Sequence, residues 1–353
     1  MKNKFLRCEI NDIHKRQMNI QHLKMIADQL RLSLKTELAV RIPAGPGGGH
    51  LCWKVKSDKE TYFIKQLDPL LDVKNAKNIA RYELCESVAF RFAQQGIPAV
   101  SAIRNDDKSV IILENNAYLV YPWVEGCTLK RNEISAEHAI KMAEILAQIH
   151  LINLNVPEME AKIDLHTNEK IVESLERISD EVPISTTLRN NQSMILDMND
   201  RYHSAVSILK KKTVITHGDI FPHNVIWQKS DSPFLIDWEA IKKMNPTREV
   251  IRACFAWGGL DDKSSALSSS FEKMLTTYIG LGGPLVKAHI GAALNGMYGN
   301  MINWLLYNID LVYAQNSCDR KNTAINEIKG CLESGEKLIK LYPTLFNSIT
   351  RFT

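Results

Sequence analysis

The sequence predicts an α+β protein in which a small antiparallel sheet is followed by a larger, mostly helical part. Two observations support this prediction. Short apolar segments bounded by glycine, asparagine and charged turns fill the first 121 residues, whereas helical spacing of apolar residues dominates most of the remainder. In addition, a chain of 353 residues is long for one compact core. Strands followed by helices therefore favour two lobes, with a boundary near residues 122–126.

The first predicted lobe combines strands with two helices. In chain order, the predicted elements are a helix at 18–34, strands at 37–42, 51–56 and 61–66, a helix at 76–95, and strands at 109–113 and 117–121. The loop at 43–50 contains four glycines, and Gly96 with Pro98 ends the second helix. This order predicts a small antiparallel sheet with accompanying helices.

Helices dominate the second predicted lobe. In chain order, the predicted elements are a helix from Ser135 to about Asn153, helices over 166–212 with a break at Pro183, strands at 213–216 and 225–228, the apolar stretch FLIDW at 234–238, and helices from Glu249 to the end, broken at 280–284 and at Pro343. Ser135 is the expected N-cap of its helix, because a serine hydroxyl accepts a hydrogen bond from a free backbone N–H.

Composition excludes several classes of protein. Hydrophobic residues make up 45% and charged residues 24%, which is typical of a globular protein. The net charge of +4, without a long run of lysine and arginine, gives no indication of a nucleic-acid partner. No signal peptide and no apolar run of about 18 residues is present, so no membrane partner is expected. Seven scattered cysteines without a C-x-x-C pair predict a cytoplasmic protein without disulfides or zinc.

The stretch ITHGDIFPHNVIW at 215–227 contains the pattern His-x-Asp-x-x-x-x-Asn, formed here by His217, Asp219 and Asn224. It lies between two apolar strands, and Asp237 follows at the end of the apolar run FLI. This is the arrangement of a kinase catalytic loop and its second metal ligand. Asp219 is therefore the candidate base for the attacking hydroxyl. Asn224 and Asp237 are the candidate Mg²⁺ ligands, because Mg²⁺ prefers oxygen donors.

Phosphoryl transfer also requires a cation against the α- and β-phosphates of the nucleotide. Lys65, on the predicted strand TYFIKQ, is the candidate. A lysine in this position needs a carboxylate to hold it. The helix at 76–95 offers Glu83 and Glu86 on one face. Glu86 is favoured by its distance from Pro98, and Glu83 is the alternative.

Backbone N–H groups of a glycine-rich loop can approach phosphates closely. Gly47, Gly48 and Gly49 in AGPGGGH are therefore candidate nucleotide-binding residues, although such a loop is a weak signal by itself. Glu239, two residues after Asp237, is expected either near the metal or in solvent. His217 is expected to brace its loop through backbone hydrogen bonds rather than to transfer a proton.

The chain resembles the aminoglycoside phosphotransferase and choline kinase family. The resemblance rests on Lys65, His217-Gly218-Asp219, Asn224 and Ile236-Asp237-Trp238-Glu239, with softer matches at 119–126 and 146–150. It implies a two-lobed protein-kinase-like fold. Residues 1-121 would form the nucleotide-binding lobe, 122-126 the hinge, and 127-353 the catalytic and acceptor-binding lobe.

The same resemblance implies that ATP and Mg²⁺ are used and that adenine binds at the hinge. Pro122 would accept a hydrogen bond through its carbonyl, and Val124 would donate its N–H, because proline has none. Tyr121 would lie behind the adenine ring. Two positions depart from the family pattern. His50 stands where a third spaced glycine is expected, and Arg248-Glu249 stand where many members have an aspartate.

The predicted function is transfer of the γ-phosphate of ATP to a hydroxyl of a small molecule. An aminoglycoside, an amino alcohol, a sugar or a related metabolite would fit as acceptor. From residue 241 onward the sequence has nine acidic and thirteen basic residues, which is mild evidence against a polycationic aminoglycoside.

A nucleotide-binding pseudo-enzyme with a regulatory role is the alternative, disfavoured by the intact Lys65, Asp219, Asn224 and Asp237. Gly218, where protein kinases have arginine, disfavours a protein kinase. The sequence gives no prediction of oligomeric state.

Overall fold

A computed structural model describes residues 18–43, 49–69, 71–161, 163–228, 232–261, 266–314 and 318–353. The chain forms two compact units, and each contains two separate segments. The first unit runs up to Leu129 and also includes His223–Ile241, and the second contains Lys130–Pro222 and Lys242–Thr353. The predicted fold class, a small antiparallel sheet followed by a mostly helical part, is confirmed. The functional lobe limits stay a prediction.

The first unit is built on a five-stranded antiparallel sheet. Its elements are α1 (Ile20–Leu30), β1 (Val40–Ile42), β2 (Leu51–Lys56), β3 (Thr61–Gln66), α2 (Ala76–Gln94), β4 (Ile111–Leu113), β5 (Asn116–Pro122), β7 (Val225–Gln228) and β8 (Ser232–Leu235). The strand order is β1-β2-β3-β5-β4. Lys65 lies on the central strand β3, opposite Cys52 on β2 and Leu119 on β5.

Both faces of this sheet are covered by apolar side chains. Trp53, Ile64 and Val120 pack with α1 residues such as Ile26 on one face. Leu119 belongs to a second apolar cluster, which includes residues of α2. Alternate residues of a strand point to opposite faces, so a strand covered on both sides carries a continuous apolar run. This accounts for the run AYLV at 117–120 in β5, which is buried throughout.

A second antiparallel pair in the first unit, β7 with β8, positions the segment that contains Asp237. The N–H of Val100 donates to the carbonyl of Leu235 at 2.9 Å, and the N–H of Leu235 donates to the carbonyl of Pro98 at 2.8 Å. Trp238 stacks on Phe92 of α2, with 5.5 Å between ring centroids. The chain after β8 is therefore attached to the end of α2 by both backbone and aromatic contacts.

The second unit is mostly helical. Its elements are α3 (Ala136–Ile152), α4 (Asn168–Glu176), α5 (Ser185–Asn190), α6 (Gln192–Leu209), β6 (Val214–Thr216), β9 (Lys242–Met244), α7 (Pro246–Trp257), α8 (Ser269–Gly280), α9 (Ile290–Ala314) and α10 (Cys318–Arg351). Helix α9 packs against α6, α7 and α10, and α3 packs against α8. None of the helices in the described part of the chain combines the length and apolarity needed to cross a bilayer.

The N-cap prediction for α3 is confirmed, because the Ser135 hydroxyl accepts from the N–H of His138. The predicted break at Pro343 is wrong, because α10 continues through it. A proline removes one helical hydrogen bond and crowds the preceding turn. Helix α10 nevertheless buries Leu338, Leu345 and Ile349 on either side of Pro343, and this packing outweighs the local cost.

Two further boundaries differ from the prediction. Helix α1 ends at Leu30, before the predicted end at residue 34, because Arg31 takes a left-handed conformation and the N–H of Leu32 returns to the carbonyl of Ala27. Strand β9 was not predicted. Its sequence, KKM, carries no strand pattern, and it is a strand only through its pairing with β6.

Candidate functional site

The first unit holds a cluster of charges around Lys65, here called the lysine cluster and defined as Lys65, Asp237, Glu239 and His50. The Lys65 ammonium lies 3.1 Å from Asp237 Oδ1 and 2.5 Å from Glu239 Oε1. Lys65 is 8% exposed. Burial alone would lower the pKa of Lys65, but the charges of Glu239 and Asp237 outweigh it and raise the pKa. Lys65 is therefore a buried, permanently charged cation.

Glu239 is the centre of this cluster. Besides Lys65, its carboxylate contacts His50 Nε2 at 3.3 Å, and its backbone carbonyl accepts from Arg81 Nη2 at 3.0 Å. Burial would raise the pKa of Glu239, but the hydrogen bond from His50 and the charge of Lys65 lower it to about 2. The sequence left the position of Glu239 open between metal and solvent. In the structure its carboxylate forms an ion pair with Lys65.

Lys65 is not paired with Glu86 or Glu83 in the described structure, which corrects the prediction. Glu86 accepts from the N–H of Ala102 and from the hydroxyl of Tyr121, both at 2.7 Å. Burial raises the pKa of Glu86 to about 7, against the opposing effect of these two hydrogen bonds. A carboxyl group that is only partly ionised near neutral pH is a weaker counter-ion for a lysine than a fully charged carboxylate.

Glu83 is committed to the backbone ahead of β4. Its carboxylate accepts from the N–H of Ser109 at 2.8 Å and from the N–H of Val110 at 3.0 Å. Both helix carboxylates therefore satisfy donors of the first unit that the sequence pattern did not indicate. The predicted lysine and its predicted partners lie on neighbouring elements, but the structure brings Lys65 together with the segment after β8 instead.

The glycine-rich loop is described only at its end. Gly47 and Gly48 lie outside the described residues. Gly49 precedes β2, and the Asp68 carboxylate occupies the space that a β-carbon at this position would need. A side chain at residue 49 would therefore displace Asp68. The next residue, His50, is the one that contacts Glu239, so the residue that departs from the family glycine pattern belongs to the lysine cluster.

The predicted adenine-binding residues lie at the end of β5. Tyr121 pairs with Phe63 of β3 and donates its hydroxyl to Glu86. Pro122 is the last residue of the strand and is exposed, and Val124 follows two residues later. The Tyr121 ring is thus held by a partly buried hydrogen bond. The contacts of these three residues with adenine stay a prediction.

Asn224 and Asp237 are brought together by the ends of β7 and β8. The N–H of Ile236 donates to the Asn224 carbonyl at 3.0 Å, and Asn224 is buried. Asp237 has a φ of 60°, a left-handed conformation that is unusual for a residue with a side chain. Such backbone is maintained only where its surroundings impose it, and it concentrates at functional sites.

The donor atoms of this pair fit a divalent cation. The Asp237 side chain is 46% exposed, and both side chains offer oxygen atoms. Oxygen ligands are those that Mg²⁺ prefers. The Asp237 carboxylate accepts a hydrogen bond from the Lys65 ammonium at 3.1 Å. This contact keeps Asp237 beside the cation that is expected to bind phosphate.

The second unit holds the loop that contains Asp219, here called the aspartate loop and defined as residues 217–221. Arg252 of α7 donates through Nη2 to Asp219 Oδ1 and through Nη1 to the Gly218 carbonyl, both at 2.7 Å. The Arg252 guanidinium also lies over the Phe221 ring at 4.4 Å. A planar guanidinium with two such bonds fixes orientation better than a single contact does. Arg252 therefore determines where the Asp219 carboxylate points.

Glu249 supports the same loop from beneath. It is buried, and it accepts from the Gly218 N–H at 3.0 Å. Its other oxygen lies 3.0 Å from His150 Nε2, and His150 Nδ1 lies 2.6 Å from the Tyr278 hydroxyl. Burial would raise the pKa of Glu249, but the bond and charge of His150, the Thr216 hydroxyl and Arg252 lower it. Glu249 thus stands where family members have an aspartate and braces the aspartate loop.

Two further residues of the loop behave as the sequence suggests. His217 is fully buried, and its Nδ1 accepts from the Asp219 N–H at 3.3 Å, so its predicted bracing role is confirmed. Gly218 has a φ of 76°, which is accessible to glycine and strained for other residues. The glycine that replaces the protein-kinase arginine is therefore required by the backbone of the loop.

Sequence reasoning missed two features of the site. It did not identify Arg252, and it did not identify Glu239 as an ion-pair partner of Lys65. For Arg252 the available signal was weak: it follows Glu249 by three residues on one helix, so both can face the same loop. For Glu239 no local pattern indicates a partner, because Lys65 is distant in the chain.

Residues 53–268 match the model of the phosphotransferase enzyme family known as APH. No curated protein matches the chain. Among solved structures, a spectinomycin phosphotransferase in complex with ADP and spectinomycin is similar, with a TM-score of 0.66 and 14% identity over 90% of this chain and 98% of that chain. The amicoumacin kinase in complex with AMP-PNP, Ca²⁺ and its substrate has a TM-score of 0.61 and 13% identity, over 91% of this chain and 95% of that one.

A choline kinase from Streptococcus pneumoniae is also similar, with a TM-score of 0.55 and 16% identity over 89% of this chain and 99% of that chain. At identities this low, the likeness shows the fold alone. It confirms the predicted fold class, that of the aminoglycoside phosphotransferases and choline kinases.

Proposed function

We propose a function from one premise: the chain belongs to the phosphotransferase enzyme family. The enzyme class predicted from the sequence is thereby confirmed. Our proposal is that the protein transfers the γ-phosphate of ATP, in the presence of Mg²⁺, to a hydroxyl group of a small molecule. The observation that carries it is the ion pair between Lys65, the proposed phosphate-binding cation, and Asp237, the proposed metal-binding carboxylate.

In this proposal Asp219 is the base that accepts the proton of the attacking hydroxyl. Its carboxylate is oriented by Arg252, and the backbone around it is held by Glu249 and His217. A general base of this kind must be placed within hydrogen-bond reach of its substrate, and rigid support from buried groups achieves that placement. Most of the rate would come from positioning and electrostatic stabilisation.

The nucleotide would be held by residues of the first unit. Lys65 would contact the α- and β-phosphates, and backbone N–H groups of Gly47, Gly48 and Gly49 would approach them. Asn224 and Asp237 would hold Mg²⁺, which supplies positive charge against the phosphate oxygens. ADP bound to one structural neighbour, and AMP-PNP with Ca²⁺ bound to another, support nucleotide use here.

The adenine ring would be bound by the end of β5, through the carbonyl of Pro122 and the N–H of Val124. Tyr121 would lie behind the ring, held by its bond to Glu86. The acceptor would be a hydroxylated metabolite. Spectinomycin, amicoumacin and choline are the substrates named for structural neighbours, and they show how widely acceptors vary on this fold.

The test measures ADP release by the purified protein with Mg²⁺ and a panel of hydroxylated acceptors, comparing wild type with Asp219→Asn. Loss of the base is expected to lower kcat by about 10²–10⁴-fold while ATP affinity changes little. A fluorescent ATP analogue would report that affinity. Asp58→Asn, at an exposed ion pair with Lys35, is the matched control. Acceptor-stimulated turnover that survives Asp219→Asn would refute the assignment of the base.

A further inference from the structure

The second unit contains a half-open cavity of about 40 Å³ next to β9. It is lined by Ala161, Ile163, Asp164, Tyr202, Leu209, Lys242, Lys243, Met244, Asn245, Arg248, Asn300 and Asn303. This volume would hold more than one water molecule, and therefore a carboxylate-sized group, with the rest of a ligand extending outward. Three of the lining residues are cations and one is a carboxylate, so the lining carries an excess of positive charge.

Arg248 is one of these cations. It is 7% exposed, and its Nη2 donates at 2.9 Å to the Gly296 carbonyl and at 3.0 Å to Asn300 Oδ1. Both acceptors are neutral. Its guanidinium lies over the Tyr202 ring at 5.6 Å, and within the described residues its Nε has no hydrogen-bond acceptor. A buried arginine is normally paired with a carboxylate, whereas this one forms no ion pair with any residue that the structure describes.

Lys242 is the second cation of the lining. Its side chain is half-buried, and across the described ranges its ammonium makes neither a hydrogen bond nor an ion pair. Burial, together with the charges of Arg252 and Arg248, lowers the pKa of Lys242 to about 8, despite the opposing charges of Glu249 and Asp219. The neighbourhood of Lys242 is therefore more positive than its own carboxylates can balance.

The two carboxylates whose charges act on Lys242, Glu249 and Asp219, already have other partners. Glu249 binds His150 and the Gly218 N–H, and Asp219 binds Arg252. Neither is free to move toward Lys242 without breaking the support of the aspartate loop. An anion from solution would supply the missing charge, with ammonium and amide donors within the lining to receive it.

We propose that this cavity binds an anionic group, a carboxylate or a phosphate, carried by the phosphoryl acceptor itself. The proposal rests on the proposed function, because it assigns the substrate class of that reaction. Lys242 lies opposite Thr216 in the β6–β9 ladder, three residues before Asp219, so a group bound to Lys242 lies beside the strand that leads into the aspartate loop. The acceptor is accordingly an anionic hydroxylated metabolite rather than a polycation.

The first experiment measures binding without turnover. Thermal unfolding is followed with glycolate and with inorganic phosphate in three proteins that all carry Lys65→Met, so that phosphate bound at the lysine cluster does not contribute. They are the Lys65→Met parent, the parent with Lys242→Met, and the parent with the control Lys337→Met, which lies outside the cavity. The anions are expected to raise the Tm of the control and its parent, and not that of Lys242→Met. Equal stabilisation of all three would overturn the proposal.

The second experiment compares matched acceptors in the otherwise wild-type enzyme. Glycerate and glycerol phosphate are compared with glyceramide and glycerol, which carry the same type of hydroxyl without the charge. Lys242→Met is expected to raise KM about tenfold for the anionic acceptors and to leave the neutral ones unchanged. A carboxylate source and a phosphate source are distinguished by which anionic acceptor has the lower KM.

The two proposals fail separately. If Lys242-dependent stabilisation by anions is present but no acceptor is phosphorylated, the anion site stands and the proposed function is wrong. If neutral acceptors are phosphorylated with an unchanged KM in Lys242→Met and the anions bind without Lys242, the proposed function stands and the anion site is wrong. Asp219→Asn is expected to retain the anion-dependent Tm shift, because it removes the base and not the cavity.

Discussion

Lys65 on β3 is buried and Lys242 on β9 is half-buried, and their charges are balanced in opposite ways. Lys65 is held by two carboxylates, Asp237 and Glu239, and its pKa is raised. Lys242 faces other cations, and its pKa is lowered to about 8 by burial and by Arg252 and Arg248. The charge of Lys65 is therefore balanced without a ligand. The charge of Lys242 would be balanced only when an anion binds beside it.

This comparison teaches where binding energy is available. At the lysine cluster, a phosphate must compete with Glu239 for the lysine, so the site gains orientation more than affinity. At the cavity, the cations have already lost part of their hydration during folding. An anion that binds there therefore does not have to desolvate them, and its affinity is higher. Substitutions at the two lysines and their partners should therefore have effects of opposite sign on stability.

The largest effect is expected for Lys65→Met. It leaves two carboxylates facing each other without their cation, and breaking a buried ion pair by removing one partner costs about 3–5 kcal/mol. Unfolding in urea would measure the loss, and binding of a fluorescent ATP analogue should weaken as well. Lys54→Met on the adjacent strand is the control, since its partner Glu125 is exposed and surface pairs contribute about 1 kcal/mol or less. Similar losses in the two variants would contradict the comparison.

The next largest effect is expected for Glu239→Gln, with Glu86→Gln as its counterpart. Glutamine at 239 removes the charged acceptor of Lys65 and His50 and should cost about 1.5–3 kcal/mol. Glutamine at 86 should cost less, because the pKa of Glu86 is raised to about 7 and its carboxyl is only partly charged near neutral pH. Urea unfolding at pH 7 ranks the two, and a larger loss for Glu86→Gln would restore the helix carboxylate as the important partner.

The contribution of Glu239 to the free energy of unfolding depends on pH, and the sign of this dependence follows from its pKa. The pKa of Glu239 is lowered to about 2 in the folded protein, from 4.5 in the unfolded chain. Its contribution to stability is therefore full above pH 4.5 and is lost as the pH falls toward 2. Wild type should lose more stability than Glu239→Gln across that interval.

A smaller, catalytic effect is expected for Arg252→Met. The Asp219 carboxylate would lose the group that orients it, and kcat should fall about 10–100-fold while KM for ATP stays unchanged. Steady-state kinetics separates the two parameters. Arg201→Met, at a helical ion pair with Asp197, controls for the loss of an arginine in the same unit. An unchanged kcat would show that the aspartate loop orients Asp219 without Arg252.

The smallest effect has the opposite sign. Lys242→Met should raise the free energy of unfolding by about 1–2 kcal/mol in buffer without anions, because it removes a half-buried charge that has no partner among the described residues. The folded-state pKa of about 8 lies below the unfolded value of 10.5, so the penalty is full below pH 8 and relieved as the pH rises toward 10.5. The stability difference between variant and wild type should shrink over that interval. A destabilised variant would show that Lys242 is balanced within the fold.

Local patterns predicted much of this molecule, and non-local pairing accounts for what they missed. The His-x-Asp-x-x-x-x-Asn spacing indicated Asp219 and Asn224 because both residues belong to one loop. Ser135 and the ends of α2 and α3 followed from capping and breaker residues. Strand β9 could not be found this way, because KKM becomes a strand only when β6 is beside it.

The partner of Lys65 shows the same limit at the site. The need of Lys65 for a counter-ion and helical spacing pointed to a carboxylate on α2, and Glu86 and Glu83 lie there. Their oxygens, however, are occupied by Ala102, Tyr121, Ser109 and Val110, whose positions depend on how the chain returns toward β4 and β5. A carboxylate can pair with a lysine only if its oxygens are not already bound by other donors. Sequence spacing does not show which donors lie around each carboxylate in the fold.

The buried connection from Tyr278 through His150 and Glu249 to the Gly218 N–H has a consequence for dynamics. Loop amides usually exchange their hydrogen with solvent quickly, since local fluctuations expose them. The Gly218 amide instead donates to a carboxylate held by two helices of the core, α3 and α7. Its exchange with deuterium should follow the opening of those helices, so that one loop proton reports the unfolding of the core of the second unit.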